Sequence, residues 1–194
     1  AEETGLINNI GSFMLEKACE QAVLWKKAGH NIKVSINSSV REFRDKNMAK
    51  SIMATLERTG CPANLLQIEI TEKFALEAEA ETRIIKQMRT LENEGIVFAL
   101  DDFGTGYGSF RYMQLLPISI LKIDQTFIRS LKFEKTQQLV NGMVQLGKSM
   151  NLTVVAEGVE TEEQNTFLTN IGCDILQGYF ISKPSSSNGI TPLL

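Results

Sequence analysis

Six short apolar runs alternate along this chain with segments of helical periodicity: IKVSIN (32–37), LLQIEIT (65–71), IVFAL (96–100), ISILKI (118–123), TVVAEG (153–158) and DILQGYF (174–180). Most are apolar on nearly every residue, as strands are when both their faces are covered. Strand–helix repetition of this kind restricts the chain to parallel βα units. An open doubly wound sheet and a (β/α)8 barrel both satisfy that constraint.

The helices have readable faces and ends. One spans about 9–29 with Phe13, Ala18, Leu24 and Trp25; another spaces Met48, Ile52 and Leu56 four apart and closes at Gly60. The next carries Ile84, Ile85, Met88 and Leu91 up to Gly95, and a further one Leu139, Met143, Leu146 and Met150. The last starts at Thr161 with Gln164 three residues on, a capping-box pattern, and ends near Gly172.

Polar residues stand at the C-terminal ends of all six strands: Asn37; Glu69 and Glu72; Asp101 and Asp102; Lys122 and Asp124; Glu157 and Glu160; Gln177. In a barrel these positions converge on one mouth, which favours the barrel over the open sheet. A barrel takes ~250 residues, against 194 here. The expectation is therefore an α/β, TIM-like (β/α)8 barrel lacking roughly its first two strands, with AEETGLI (1–7) reading as a helix end. Residues 1–184 make the domain, and Ser-rich 185–194 reads as a flexible tail.

The converging set is made of hard oxygen donors, which select Mg²⁺ or Mn²⁺ over zinc or copper. Several carboxylates around the adjacent pair Asp101–Asp102 suit two ions about 4 Å apart, the arrangement used for in-line displacement at phosphorus. An adjacent acidic pair at the mouth of a core strand is costly unless a cation compensates it. Lys122 lies inside an apolar run, where an unpaired ammonium is expensive; acidic neighbours would keep it charged. Asp124 and Glu160 also fit helix N-terminal positions. The turn DDFGTGYGS (101–109) has glycines at 104, 106 and 108, which let backbone approach a ligand closely.

Composition narrows the alternatives. The formal net charge of −3 argues against a DNA- or RNA-coating protein but leaves a small nucleotide open. The single histidine, His30, removes Ser-His-Asp triads and His-rich metal sites. Cys19, Cys61 and Cys173 are odd in number and far apart, so free thiols in a reducing compartment are expected. No run approaches the ~20 apolar residues of a membrane span. A cytoplasmic domain is expected, with membrane or sensory parts only outside this chain.

These residues stand in a familiar order. The chain resembles the EAL-domain family of cyclic di-GMP phosphodiesterases through AEETGLI (1–7), NSSVREF (37–43), EITE (69–72), DDFGTGYGS (101–109), LKIDQTFI (121–128), VVAEGVET (154–161) and QGYFISKP (177–184). The resemblance implies hydrolysis of cyclic di-GMP to linear pGpG with two Mg²⁺ or Mn²⁺ ions. It implies metal ligation by Asn37, Glu69, Asp101, Asp102 and Glu157, with Lys122 positioning the attacking water and Glu157 carrying general-base character. Glu72, Gly104 and Thr105 are implied as loop support, and Gln177 and Asp124 as further polar residues of the site. A homodimer through the 103–112 region is implied as well.

The family pattern is not complete here. Gly108 stands where the loop usually has serine, and Glu42 where NxSxRQ has glutamine. The Glu-Ala-Leu tripeptide is absent; FALEAEA (74–80) lies on a helix and is not it. The motif and its metal-binding glutamate are expected upstream of Ala1, so these residues alone are expected to be weakly active or inactive. The alternative reading is a non-catalytic cyclic di-GMP receptor or signalling scaffold.

Overall fold

The computed structural model describes residues 6–79, 81–106 and 111–194. Residues 1–5 of AEETGLI and 107–110 of the glycine-rich segment, Gly108 included, lie outside the described residues. In chain order the strands are β1 (Val34–Asn37), β2 (Leu66–Thr71), β3 (Val97–Phe103), β4 (Ile120–Ile123), β5 (Thr153–Glu157) and β6 (Ile175–Gln177). The helices are α1 (Leu6–Lys27), α2 (Val40–Arg44), α3 (Met48–Thr59), α4 (Glu72–Glu79), α5 (Thr82–Asn93), α6 (Tyr112–Leu115), α7 (Gln125–Arg129), α8 (Glu134–Ser149), α9 (Glu162–Asn170) and α10 (Ser187–Ile190).

All five strand pairings are parallel, and the order in space is β1-β2-β3-β4-β5-β6. Each strand therefore lies beside its predecessor. A doubly wound sheet reverses its order at a switch point; this sheet does not. It is the wall of a partial TIM-like barrel, with the main core between helices and strands. A second, small apolar cluster of Ala99, Ile120 and Val155 lies apart from it.

Strand alternation explains the two clusters. Ile68, Ile70, Phe98, Leu100, Leu121 and Val154 belong to the main core, whereas Ala99, Ile120 and Val155, one residue out of phase, make the second cluster. Glu69, Asp101, Lys122 and Glu157 are at even offsets from that cluster, so they share its concave face and extend it towards the strand C-termini. The local signals hold at several ends. Thr161 and Gln164 form the capping box of α9, and α3 stops at Gly60, whose N–H bonds the Leu56 carbonyl.

The buried faces of two helices differ from expectation. On α1 the core stripe is Leu15, Cys19, Ala22 and Trp25, while Phe13 and Leu24 are 59% and 58% exposed. The reason is geometric: α1 packs on α3 and β1, and one side of a cylinder can meet only one such groove. On α8, Val140, Met143 and Val144 are buried and Leu139 is 48% exposed. The C-terminal residues form α10 and a 3-10 turn, Thr191–Leu193, where the Thr191 hydroxyl accepts a hydrogen bond from Trp25 Nε1 at 3.0 Å. The three cysteines are free thiols. No helix among the described residues is long and apolar enough to cross a membrane.

Candidate active site

Lys122 is the centre of the concave face. It projects from β4 and is 4% exposed. Its Nζ lies 2.8 Å from Glu69 on β2, 3.0 Å from Asp101 on β3 and 2.7 Å from Glu157 on β5. Burial alone would lower the ammonium's pKa, but the hydrogen bonds it donates to Glu157 and Glu69 outweigh it and hold it above its ordinary value. Lys122 is therefore a fixed cation.

Adjacent residues of a strand normally face opposite ways, so Asp101 and Asp102 should not converge. They do because the β3–β4 register shifts between Leu100 and Phe103, and Asp102 takes a left-handed conformation with φ 55°. The bulge turns the second carboxylate back to the first. One oxygen each from Asp101, Asp102 and Glu157 then lie within 4.8 Å of one another. Thr105 secures the turn, donating from its N–H and its hydroxyl to the Asp102 carbonyl at 3.3 and 2.8 Å.

The cluster holds four carboxylates, Glu69, Asp101, Asp102 and Glu157, against one ammonium, an excess of three negative charges. Burial and then the Asp101 charge push the Asp102 pKa up from its ordinary value. Burial also pushes Glu157 up, opposed by Lys122. The Oδ1 atom of Asp101 is buried and makes no hydrogen bond, although Lys122 Nζ stands beside it. An acidic, all-oxygen donor set of this kind fits divalent Mg²⁺ or Mn²⁺.

The remaining expected residues differ in where they fall. Asn37 lies in register beside Glu69, and Gln177 beside Glu157, so both flank the cluster. Glu72, at the start of α4, is 5% exposed and supports the turn: its Oε2 accepts from the N–H groups of Gly104 at 3.3 Å and Gly106 at 3.0 Å. A Cβ on Gly106 would sit 2.9 Å from that carboxylate, so a side chain there would have to push Glu72 aside. Asp124 caps α7, accepting from Thr126 N–H at 2.9 Å. Glu160 stands apart, 3.6 Å from Arg129 in an exposed pair. Glu42 completes the α2 capping box with Ser39.

Two partners were missed in the sequence. Gln67 Nε2 donates to Glu69 Oε1 at 3.2 Å, and the Tyr112 hydroxyl donates to Glu72 Oε1 at 2.9 Å. Gln67 was findable, since it shares Glu69's strand face by alternation. Nothing in the local pattern around Tyr112 points at Glu72.

Known proteins share this sequence pattern and fold. The family model described as EAL domain matches residues 1–184. The bifunctional diguanylate cyclase/cyclic di-GMP phosphodiesterase MucR of Pseudomonas aeruginosa is 40% identical over 187 residues, 95% of this chain and 27% of that protein. The signaling protein YkoW of Bacillus subtilis is 39% identical over 185 residues, 95% of this chain and 23% of that protein. The chain thus spans 23–27% of the length of these curated relatives. The PaMucR phosphodiesterase, solved as a c-di-GMP complex, superposes with a TM-score of 0.91 at 38% identity, over 98% of this chain and 77% of that one. The EAL domain of Mycobacterium smegmatis DcpA gives 0.88 at 31% identity, over 95% and 83%.

Proposed function

The chain belongs to the EAL domain family, and from that premise we propose that it is the hydrolytic domain of a cyclic di-GMP phosphodiesterase, yielding linear pGpG. The observation that carries this reading is Lys122 held by Glu69, Asp101 and Glu157, with the Asp101, Asp102 and Glu157 carboxylates gathered within 4.8 Å of one another. The relatives add support: MucR is named a c-di-GMP phosphodiesterase, and PaMucR was solved with c-di-GMP.

Asn37, Glu69, Asp101, Asp102 and Glu157 would hold two divalent ions, Mg²⁺ or Mn²⁺. When bound, such ions supply Lewis acidity at the phosphate and lower the pKa of water. The protein's own groups do the rest. Lys122, fixed and protonated, offers N–H donors to the attacking water or to charge developing on the phosphate. Glu157, raised by burial, is a stronger proton acceptor than a solvated glutamate and lies 2.7 Å from Lys122. Glu72 and Thr105 keep the Asp101–Asp102 turn in place, Gln177 flanks Glu157, and Asp124 fixes the start of α7 next to Lys122.

Residues 1–184 form the catalytic unit in this reading and 185–194 a tail. The unit is a homodimer through the 103–112 region, of which 107–110 lie outside the described residues. Residues 1–194 contain no Glu-Ala-Leu tripeptide, so slow turnover is expected of them alone.

The test is product chromatography of c-di-GMP incubated with Mn²⁺ and the full-length protein that carries this domain together with its upstream strands. Asp101→Ala is expected to lower pGpG formation roughly a thousandfold, the several kcal/mol that metal ligation supplies to the transition state. Unchanged turnover in Asp101→Ala sinks the site assignment. Calorimetric binding of c-di-GMP with no linear product would replace the enzyme by a receptor.

A further inference from the structure

Glu72 holds the turn with one oxygen and is itself held by the other. Its Oε2 takes the Gly104 and Gly106 amides, while Oε1 accepts the 2.9 Å hydrogen bond from Tyr112. Tyr112, the first residue of α6, is fully buried, and Glu72 is 5% exposed. Among the described residues no lysine or arginine pairs with Glu72. Its charge is met by neutral donors, two backbone amides and one phenol, so each carries a large share of the compensation.

The turn has no slack on its other side. A Cβ on Gly104 would lie 2.7 Å from Met143 Cε and from Phe127 Cε2. The backbone is thus clamped between α7 and α8 on one flank and the Glu72 carboxylate on the other. Any rotation of Glu72 is felt at Gly104, two residues from Asp102. Burial and the Glu72 carboxylate both push the phenol up, so the hydroxyl stays a donor.

We infer that Tyr112 is a positioning residue: its hydroxyl fixes Glu72, Glu72 fixes the Gly104 and Gly106 amides, and these hold the Asp101–Asp102 turn in register. What the turn does rests on the phosphodiesterase reading; how it is held rests on the hydrogen bonds alone.

Tyr112→Phe removes the hydroxyl and keeps the buried ring. Amide hydrogen exchange at Gly104 and Gly106, and Mn²⁺ affinity from the free-ion resonance signal, are measured in the full chain and again in a Glu72→Gln background. Tyr112→Phe is expected to speed exchange at both amides roughly tenfold and to weaken Mn²⁺ by a similar factor. In the Glu72→Gln background the same substitution should change neither, which a merely structural tyrosine would not satisfy. Unchanged exchange in Tyr112→Phe overturns the inference, and so does an undiminished effect without the Glu72 carboxylate. Should Tyr112→Phe fail to fold, Glu72→Gln alone decides: wild-type exchange at Gly104 and Gly106 overturns the inference. If exchange rises as expected but the full-length protein, upstream strands included, neither binds Mn²⁺ nor cleaves c-di-GMP, the tether stands and the phosphodiesterase reading falls.

Discussion

Alternate residues of the same strands build two faces with opposite rules. Towards the helices, Ile70, Phe98, Leu100, Leu121 and Val154 are at most 1% exposed and make the core. On the concave side a three-residue apolar patch, Ala99, Ile120 and Val155, gives way to Glu69, Asp101, Lys122 and Glu157. The helix face lowers the free energy of folding by removing apolar area from water. The concave face raises it, gathering excess negative charge in a half-buried place. One sheet thus keeps stability and chemistry apart by a single residue of phase, so a fault on one face need not spread to the other.

Lys122→Met should produce the largest effect, because it strips the shared cation from three carboxylates. Removing one partner of a buried ion pair typically costs about 3–5 kcal/mol, and turnover should vanish with it. Urea denaturation in a chelator reads the stability. A loss below about 1 kcal/mol would show that the concave face does not depend on its ion pairing, and the contrast between faces would break.

Phe98→Ala acts on the other face. Truncating a buried phenylalanine costs about 3–5 kcal/mol, and Phe98 is 1% exposed with its ring 6.2 Å from that of Phe43. Turnover and Mn²⁺ affinity per folded molecule should stay within about twofold of the unsubstituted chain. A large drop in either, measured well below the melting temperature, would mean that the faces are mechanically coupled.

Asp102→Asn should give the smallest effect, with the reverse sign. Burial and Asp101 raise the Asp102 pKa above its ordinary 3.8. The folded state thus keeps a proton that the unfolded state has lost, and this group's contribution to stability falls as pH rises from 3.8 through the raised value. In a chelator, Asp102→Asn should flatten that slope and raise the melting temperature slightly above the window. An unchanged slope would remove the electrostatic cost assigned to the pair.

Much of this was legible in order along the chain. The strand-end pattern gathered Glu69, Asp101, Lys122 and Glu157 at one end, and Thr161 with Gln164 announced a helix start that the structure shows hydrogen-bonded both ways. Less legible was which stripe of α1 would be buried. Phe13 and Leu15 are both apolar, and only the groove between α3 and β1 decides between them.

The sequence by itself determined the βα repetition, the acidic strand ends and the family, because these depend on residue type and on neighbours a few positions away. Tertiary structure alone decided that Asp101 and Asp102 converge, since alternation turns them apart and only the bulge at φ 55° brings them back. It also decided that Tyr112 meets Glu72 across 40 positions and that Lys122 is shared by three strands. Contacts between distant residues are set by how layers pack, and local pattern carries no record of that.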